Sequence, residues 1–160
     1  MHGPTLCICG IDPGIRGAVA FFFTTHENAI AAEDLPVVDN MLDAATLASR
    51  LRQMQPDLVV MEQVGAMPKQ GVSSTFRFGQ AFGMAIGVVA ALGIPTDFVT
   101  PGRWKKHFRL SSDKEESRAR ALQMWPDRSD LFARKKDHGR AEAALIARFG
   151  AETIGRRSTS

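Results

Sequence analysis

Three short apolar runs separated by tight turns constrain the fold more than any other feature of the sequence. The runs span residues 6–11, 18–24 and 29–35, and the first is followed by the turn signature Asp-Pro-Gly at 12–14. Runs of this length joined by short loops are typical of strands that pair as antiparallel hairpins. The first part of the chain is therefore predicted to form three antiparallel strands.

A helical pattern and a buried strand follow the third run. Asp43 is predicted to start an amphipathic helix that Pro56 stops, because apolar residues recur between them at helical spacing. Residues 58–61 form a continuous apolar run, which is typical of a buried strand. That strand ends at Glu62, so an acidic residue stands at its carboxyl end.

Helical patterns dominate the remainder of the chain. Ser74 or Thr75 is predicted to cap a long helix that ends near Leu92, and a short strand is predicted at 97–99. Three further helices are predicted at 104–108, 113–124 and 138–149. Hairpin strands followed by alternating helices and strands predict an α/β fold with a mixed sheet.

Length and composition exclude several classes of protein. The 160 residues suffice for one domain, which we expect over 1–150, followed by a flexible basic tail over 151–160. A composition with 44% hydrophobic and 23% charged residues excludes disorder, collagen-like repeats and a coiled coil. The sequence shows no apolar stretch long enough to span a bilayer and no secretory signal pattern. Cys7 and Cys9 share one predicted strand, so we expect reduced thiols and a cytoplasmic protein.

Charge is divided unevenly along the chain. Residues 1–100 have a net charge of −4 and residues 101–160 a net charge of +7, within a total of +3. This asymmetry suggests carboxylates collected in one place and a polyanion contacted in another. Basic residues that merely solvate helices would give the same count, so charge alone does not decide between these interpretations.

Three acidic residues occur where an unpaired carboxylate is unfavourable. Asp12 and Glu62 each follow a predicted strand, and Glu142 lies in the small, apolar helical segment 141–147. α/β folds place their sites at the carboxyl edge of the sheet, where these three side chains can converge. Clustered carboxylates repel one another, and hard divalent cations relieve that repulsion. The residues therefore predict a divalent metal site, and two ions there would suit phosphoryl transfer.

The start of the last predicted helix holds two further candidates. His138 lies about one helical turn before Glu142 and shares its face. Asp137 reaches the same site only if it lies outside the helix as its N-cap, and an aspartate there is also an ordinary helix start. A neutral imidazole serves as a ligand or as a proton relay. The residues themselves leave both assignments open.

Small and aromatic residues in the long predicted helix allow two interpretations each. Gly79, Gly83 and Gly87 recur every four residues, which suits close packing either on this chain's own sheet or on the same helix of a second subunit. Phe76 and Phe78, near the start of that helix, are predicted either as core residues or as platforms on which exposed bases stack.

Four motifs occur in order over residues 6–150. They are Gly-Ile-Asp-Pro-Gly at 10–14, Met-Glu-Gln-Val at 61–64, Gly-Gln-Ala-x-Gly at 79–83 and a final Asp-x-x-x-x-Glu-Ala at 137–143. Together they resemble the RuvC family of Holliday junction resolvases, with greatest similarity to the branch that includes the chloroplast enzymes. The resemblance implies an RNase H-like fold with a five-stranded mixed sheet, three antiparallel hairpin strands plus two parallel ones, flanked by helices. It also implies a homodimer, formed through the glycine-bearing helix, that nicks two strands of a four-way DNA junction symmetrically.

The resemblance also assigns roles to individual residues. The three acidic positions described above match the family's metal ligands for Mg²⁺ or Mn²⁺, with two ions per site. The best-known members have an acidic residue or histidine three positions before the last ligand, where this chain has Gly139. Asp137 or His138 is therefore expected to substitute as the fourth ligand. Lys105 and Lys114 match basic residues near the scissile phosphate.

A second departure follows Glu62. The bacterial enzyme has an aromatic residue three positions later, used at the junction centre, and this chain has Gly65 there. Met67, Phe76 or Phe78 is expected to act at the junction centre in place of that aromatic residue.

The implied activity is metal-dependent hydrolysis of DNA phosphodiesters by paired nicks. The alternatives are another nuclease of this fold, acting on RNA–DNA hybrids or flaps, and a protein that binds junctions without cutting them. The implied location is the cytoplasm at the nucleoid, or a host's cytoplasm if the source is a phage. The residues expected to contact DNA are Lys69, Arg77, Phe78, Arg103, Lys105, Lys106 and Lys114.

Overall fold

A five-stranded mixed sheet forms the centre of the computed structural model, which describes residues 3–63, 65 and 69–157. β1 pairs antiparallel with β2, and β2 with β3, whereas β6 and β7 run parallel to β1, in the order β3-β2-β1-β6-β7. The predicted α/β fold and its mixed sheet are confirmed. A short additional hairpin, β4–β5, had no signal in the apolar runs. The strands are β1 (Cys7–Asp12), β2 (Ala18–Phe23), β3 (Ile30–Asp34), β4 (Val37–Val38), β5 (Met41–Leu42), β6 (Leu58–Glu62) and β7 (Thr96–Val99).

Helices cover both faces of this sheet. Asp43 caps the first one as predicted, because its side chain accepts a hydrogen bond from the Thr46 N–H. Within the described residues, no helix is both long enough and apolar enough to cross a membrane. The helices are α1 (Ala44–Met54), α2 (Val72–Ala91), α3 (Pro101–His107), α4 (Lys114–Met124) and α5 (His138–Arg157), with 3₁₀ turns at Pro126–Leu131 and Lys135–Asp137.

The start of α2 differs from the prediction. Gly71, in an extended conformation, is the residue before the first turn, and no side chain caps the helix. The Thr75 N–H already donates to the Gly71 carbonyl, which is the first bond of the helix. Ser74 and Thr75 therefore lie inside the helix, and the prediction that either of them caps it is wrong.

The end of α5 also differs from the prediction. The helix continues to Arg157 instead of ending near Phe149, so residues 151–157 are helical and do not form a flexible tail. Gly150 suggested a helix end in the sequence, but it lies within α5 against the sheet. A Cβ at this position would come within 2.6 Å of Val60 Cγ2, so glycine permits close packing here.

The core lies in two layers, one on each face of the sheet. Successive residues of β1 point to opposite faces, so Ile8 packs in the layer of α3, α4 and α5 while Cys7 and Cys9 pack in the layer of α1 and α2. Both cysteines are buried free thiols, as predicted. At Gly10, an added Cβ would lie 2.1 Å from the carbonyl oxygen of Ala143. The absence of a side chain at Gly10 thus lets α5 lie directly against β1.

Candidate metal centre and its surroundings

Three carboxylates meet at one edge of the sheet. Asp12 ends β1 and Glu62 ends the neighbouring parallel strand β6, so the two side chains emerge at the same edge. Glu142 comes from the first turns of α5, which the contact at Gly10 holds against β1. One carboxylate oxygen of each residue lies within 4.8 Å of the other two. The predicted convergence of these residues is confirmed.

The electrostatics of this cluster favour a bound cation. Burial raises the pKa of Asp12 well above its usual value, and the charges of Glu142 and Glu62 raise it further. Burial also raises the pKa of Glu62. The ionised forms of both groups are thus destabilised, and a nearby positive charge counteracts that effect. Oxygen donors of this kind suit hard divalent cations, so the residues present fit the Mg²⁺ or Mn²⁺ expected from the sequence.

Helix α3 places two side chains against the carboxylates. The Trp104 indole Nε1–H donates to Glu62 Oε2 at 2.6 Å, and Trp104 is fully buried. The next residue, Lys105, has its Nζ 4.0 Å from Glu142 Oε1. Lys114, at the start of α4, acts from farther away, and its charge lowers the pKa of both Asp12 and Glu62. Of the two lysines expected near a scissile phosphate, Lys105 therefore adjoins the acidic cluster, and Lys114 acts on it through its charge.

Sequence reasoning missed Trp104. A tryptophan beside two lysines in an amphipathic segment is as typical of a core residue as of a site residue. The available signal was its position directly before Lys105, on the segment that follows the strand 97–99.

Asp137 does not join the cluster. Its carboxylate accepts hydrogen bonds from the Arg134 backbone N–H and guanidinium, at 2.9 Å for each of the two shorter contacts. The Arg140 guanidinium lies 3.9 Å from the same carboxylate. Although burial opposes it, the hydrogen bonding from Arg134 holds the pKa of Asp137 below its usual value. Asp137 therefore closes the turn before α5, and its carboxylate is occupied by arginines.

His138 is the first residue of α5, one turn before Glu142, but like Asp137 it contributes no atom to the cluster of carboxylates. Its Nδ1 is buried and has no hydrogen-bond partner in the described part of the chain. The next residue, Gly139, lies beneath the β1–β2 loop, where an added Cβ would come within 2.7 Å of the Arg16 carbonyl oxygen. A ligand side chain cannot be accommodated at position 139 without moving this loop.

The other basic residues expected to contact DNA are on the surface. Lys69 precedes α2, Arg77 is in its first turns, and Arg103 and Lys106 are on α3; all four are exposed. The Arg103 guanidinium also stacks over the Phe149 ring, 5.6 Å from its centroid. The structure gives these residues the exposure that DNA contact requires, without placing them in a single cluster.

The glycine face of α2 is open. An added Cβ at Gly79, Gly83 or Gly87 would meet no described atom within 4 Å. The side of α2 that packs on the sheet is formed by other residues, Ala81, Ala85 and Val89. The interpretation that the glycines pack on this chain's own sheet is therefore wrong.

Aromatic residues lie on and beside α2. Phe76 is 71% exposed, which excludes a core role, and Phe98 of β7 is 42% exposed. Phe78 is half-buried and stacks on Phe82, with ring centroids 6.2 Å apart. Met67, the third residue considered for a role at the junction centre, lies outside the described residues.

Solved structures with the same architecture are known. RuvC of Thermus thermophilus, in complex with a Holliday junction substrate, matches with a TM-score of 0.65 and 18% identity, over 93% of this chain and 97% of that chain. This chain has the RuvC fold. The fowlpox virus resolvase, in complex with Holliday junction DNA, matches with a TM-score of 0.57 and 16% identity, over 93% of this chain and 99% of that chain.

A third similar structure is the yeast mitochondrial Holliday junction resolvase. It matches with a TM-score of 0.56 and 17% identity, over 98% of this chain and 85% of that chain. No protein-family model matches the sequence, and no curated protein matches it significantly. At this level of identity the similarity establishes the RNase H-like fold that RuvC has.

Proposed function

We propose that this protein is a structure-selective DNA endonuclease that resolves Holliday junctions by paired, symmetric nicks. The observation that carries the proposal is the cluster of Asp12, Glu62 and Glu142 at the sheet edge of a RuvC fold. The three similar structures are all Holliday junction resolvases, and two of them contain junction DNA.

The acidic cluster would hold the metal that such hydrolysis uses, two Mg²⁺ or Mn²⁺ ions per site. When bound, two such ions supply a nucleophile at neutral pH and stabilise the attacking and leaving oxygens of an in-line displacement. Neither His138 nor Asp137 belongs to the cluster, and of the two His138 is the better candidate for the fourth ligand, because its Nδ1 has no described partner whereas arginines occupy Asp137. Asp12, Glu62 and Glu142 are the remaining three.

Lys105 and Lys114 would act on the phosphate. The charge of Lys105 lies 4.0 Å from Glu142, and the charge of Lys114 acts on Asp12 and Glu62 from farther away, so both would act on a phosphodiester bound at the site. As water adds to phosphorus and the 3′ oxygen departs, negative charge builds on the phosphoryl oxygens, and positioned cationic groups stabilise it. Arg103 and Lys106 of α3 are exposed and would bind neighbouring backbone phosphates.

Symmetric nicking requires two sites at a fixed separation, and the open face of α2 supports a homodimer. Gly79, Gly83 and Gly87 offer a surface on which a second helix backbone can approach closely. The exposed Phe76 adds apolar area to this helix, and Phe98 adds more beside it.

The dimer is tested by sedimentation of the wild-type protein and of Gly83→Glu. A Cβ at this position meets no atom of the described residues within 4 Å, so the variant should fold and sediment as a monomer. Ala119→Glu, on the exposed side of α4, is the matched control and should remain dimeric. A wild-type monomer at micromolar concentration would contradict the dimer.

The nuclease activity is tested on a panel of DNA substrates with Mg²⁺. We expect nicks at symmetric positions in opposite strands of a four-way junction, and much slower cleavage of duplexes, flaps and RNA–DNA hybrids. Faster cleavage of hybrids or flaps would replace the proposal with another nuclease of this fold. Junction binding without cleavage at any Mg²⁺ or Mn²⁺ concentration would indicate a binding protein.

A further inference from the structure

Trp104 contacts the candidate metal centre through one specific atom. Its indole Nε1–H donates to Glu62 Oε2 at 2.6 Å, and this bond is buried. Trp104 itself is fully buried, and Glu62 is 6% exposed. A buried tryptophan needs a partner for its N–H, and most such partners are backbone carbonyls or water. Here the partner is a carboxylate of the acidic cluster.

The bond differentiates the two oxygens of Glu62. Oε2 accepts the indole hydrogen and Oε1 does not, so this bond holds the Glu62 carboxylate in one orientation beside Asp12 and Glu142. Carboxylate ligands that are held in this way by outer groups keep one orientation, and loss of the outer group weakens metal binding.

Helix α3 is itself anchored to the helix that carries Glu142. The Thr100 side chain caps the helix by accepting from the Arg103 N–H. At its other end, His107 Nε2 pairs with Glu152 Oε2 of α5 at 2.6 Å. Because α5 also carries Glu142, the anchor that orients Glu62 is tied to the helix that supplies another member of the cluster.

We propose that Trp104 is a positioning residue, which holds the Glu62 carboxylate in the orientation that binds a divalent cation. The inference rests on the proposed function, since it concerns the metal site of that nuclease. It adds a residue that neither the acidic motif nor the basic residues around the site identify.

The chain offers a matched control for a test, because its only other tryptophan is equally buried. Trp125 donates its indole N–H to the Glu27 backbone carbonyl at 3.0 Å, away from the acidic cluster. Trp104→Phe and Trp125→Phe therefore each remove one indole hydrogen bond and a similar volume from a fully buried position. Only the first removes a bond to the cluster.

The measurement is Mn²⁺ binding to the protein without DNA, by electron paramagnetic resonance of the free ion. We expect Trp104→Phe to weaken binding by about 10- to 100-fold, the usual effect of losing an outer hydrogen bond to a ligand. Trp125→Phe should bind as the wild type does. In a Glu62→Gln background the substitution at 104 should have no further effect, because the carboxylate that it orients is gone. Equal affinities of Trp104→Phe and Trp125→Phe, or the same loss in the Glu62→Gln background, would overturn the inference.

A second measurement does not depend on the stability of Trp104→Phe. In the Trp125→Phe protein all tryptophan fluorescence comes from Trp104, so bound Mn²⁺ should quench it, and Glu62→Gln should abolish the quenching. Bound Mn²⁺ that leaves this fluorescence unchanged would overturn the inference while the proposed nuclease stands. Absence of any Mn²⁺ binding to the wild-type protein would overturn the proposed metal-dependent function together with it.

Discussion

Replacing Asp12 by asparagine should stabilise the metal-free protein, although it removes a central residue of the proposed site. One oxygen of each carboxylate in the cluster lies within 4.8 Å of the others. At an effective dielectric constant of about 20, two unit charges at about that separation repel by about 3.5 kcal/mol. Asp12 faces two such charges, on Glu62 and Glu142, and both raise its pKa in addition to the effect of burial.

Part of this repulsion is already offset. The Lys105 Nζ lies 4.0 Å from Glu142 Oε1, which compensates roughly one of the two interactions. Uptake of a proton by Asp12 relieves part of the other. We therefore expect Asp12→Asn to raise the free energy of unfolding at pH 7 by about 1–3 kcal/mol, the scale of one uncompensated buried group. In a chain of this length, each kcal/mol raises Tm by roughly 2–4 °C.

The gain should depend on pH. Because the pKa of Asp12 is raised by folding, the folded wild-type protein binds the proton more tightly than the unfolded chain. Wild-type stability from this group is therefore full at low pH and is lost as pH rises through the raised pKa. Asparagine has no such dependence, so the difference between the two proteins should vanish below the usual pKa of aspartate and grow toward neutral pH.

Thermal unfolding in EDTA at a series of pH values measures this effect. Asp127→Asn removes the same charge from an exposed position and should leave Tm nearly unchanged. Addition of Mg²⁺ should stabilise the wild-type protein and not Asp12→Asn. A lower Tm for Asp12→Asn than for the wild type at pH 7 in EDTA would refute the reasoning that the carboxylates repel one another.

Three further substitutions test other parts of the site. Asp137→Asn should lower Tm at neutral pH but leave Mn²⁺ affinity unchanged, because Asp137 binds Arg134. The difference in Tm should fade as pH falls through the lowered pKa of Asp137. A loss of Mn²⁺ affinity would contradict the placement of Asp137 outside the metal site. Lys105→Ala should slow junction nicking by about 100-fold, a typical effect of removing one group that stabilises developing charge. Junction affinity measured in Ca²⁺ should change little, and an unchanged nicking rate would exclude the proposed role. Gly10→Ala should lower the free energy of unfolding by at least about 2 kcal/mol in denaturant titrations, since the new Cβ would collide with the backbone of α5. An unchanged unfolding midpoint would contradict the close packing of α5 on β1.

Local sequence patterns predicted the sheet and the acidic cluster because both depend on signals that are local in the chain. Apolar runs define the strands, and Asp12 and Glu62 directly follow two of them. Adjacent parallel strands then bring those two residues to one edge. Glu142 was predictable because a carboxylate in an apolar helix segment is unfavourable without a partner.

The partners of other side chains depend on tertiary packing and were not predictable in this way. Asp137 has the same spacing to Glu142 whether it binds metal or Arg134, and only the turn before α5 decides between them. A glycine at position 150 is compatible with the end of a helix and also with a helix packed closely on Val60, so the residue type alone does not distinguish the two. Trp104 finds Glu62 across 42 residues of sequence, and no local pattern encodes that contact.

The central claim is that the Asp12, Glu62 and Glu142 cluster cuts DNA at a four-way junction. The most direct test compares wild-type protein and Asp12→Asn on one junction, with binding measured in Ca²⁺ and nicking measured in Mg²⁺. We expect equal binding by both proteins and nicking by the wild type alone. Nicking by Asp12→Asn at the wild-type rate would contradict it.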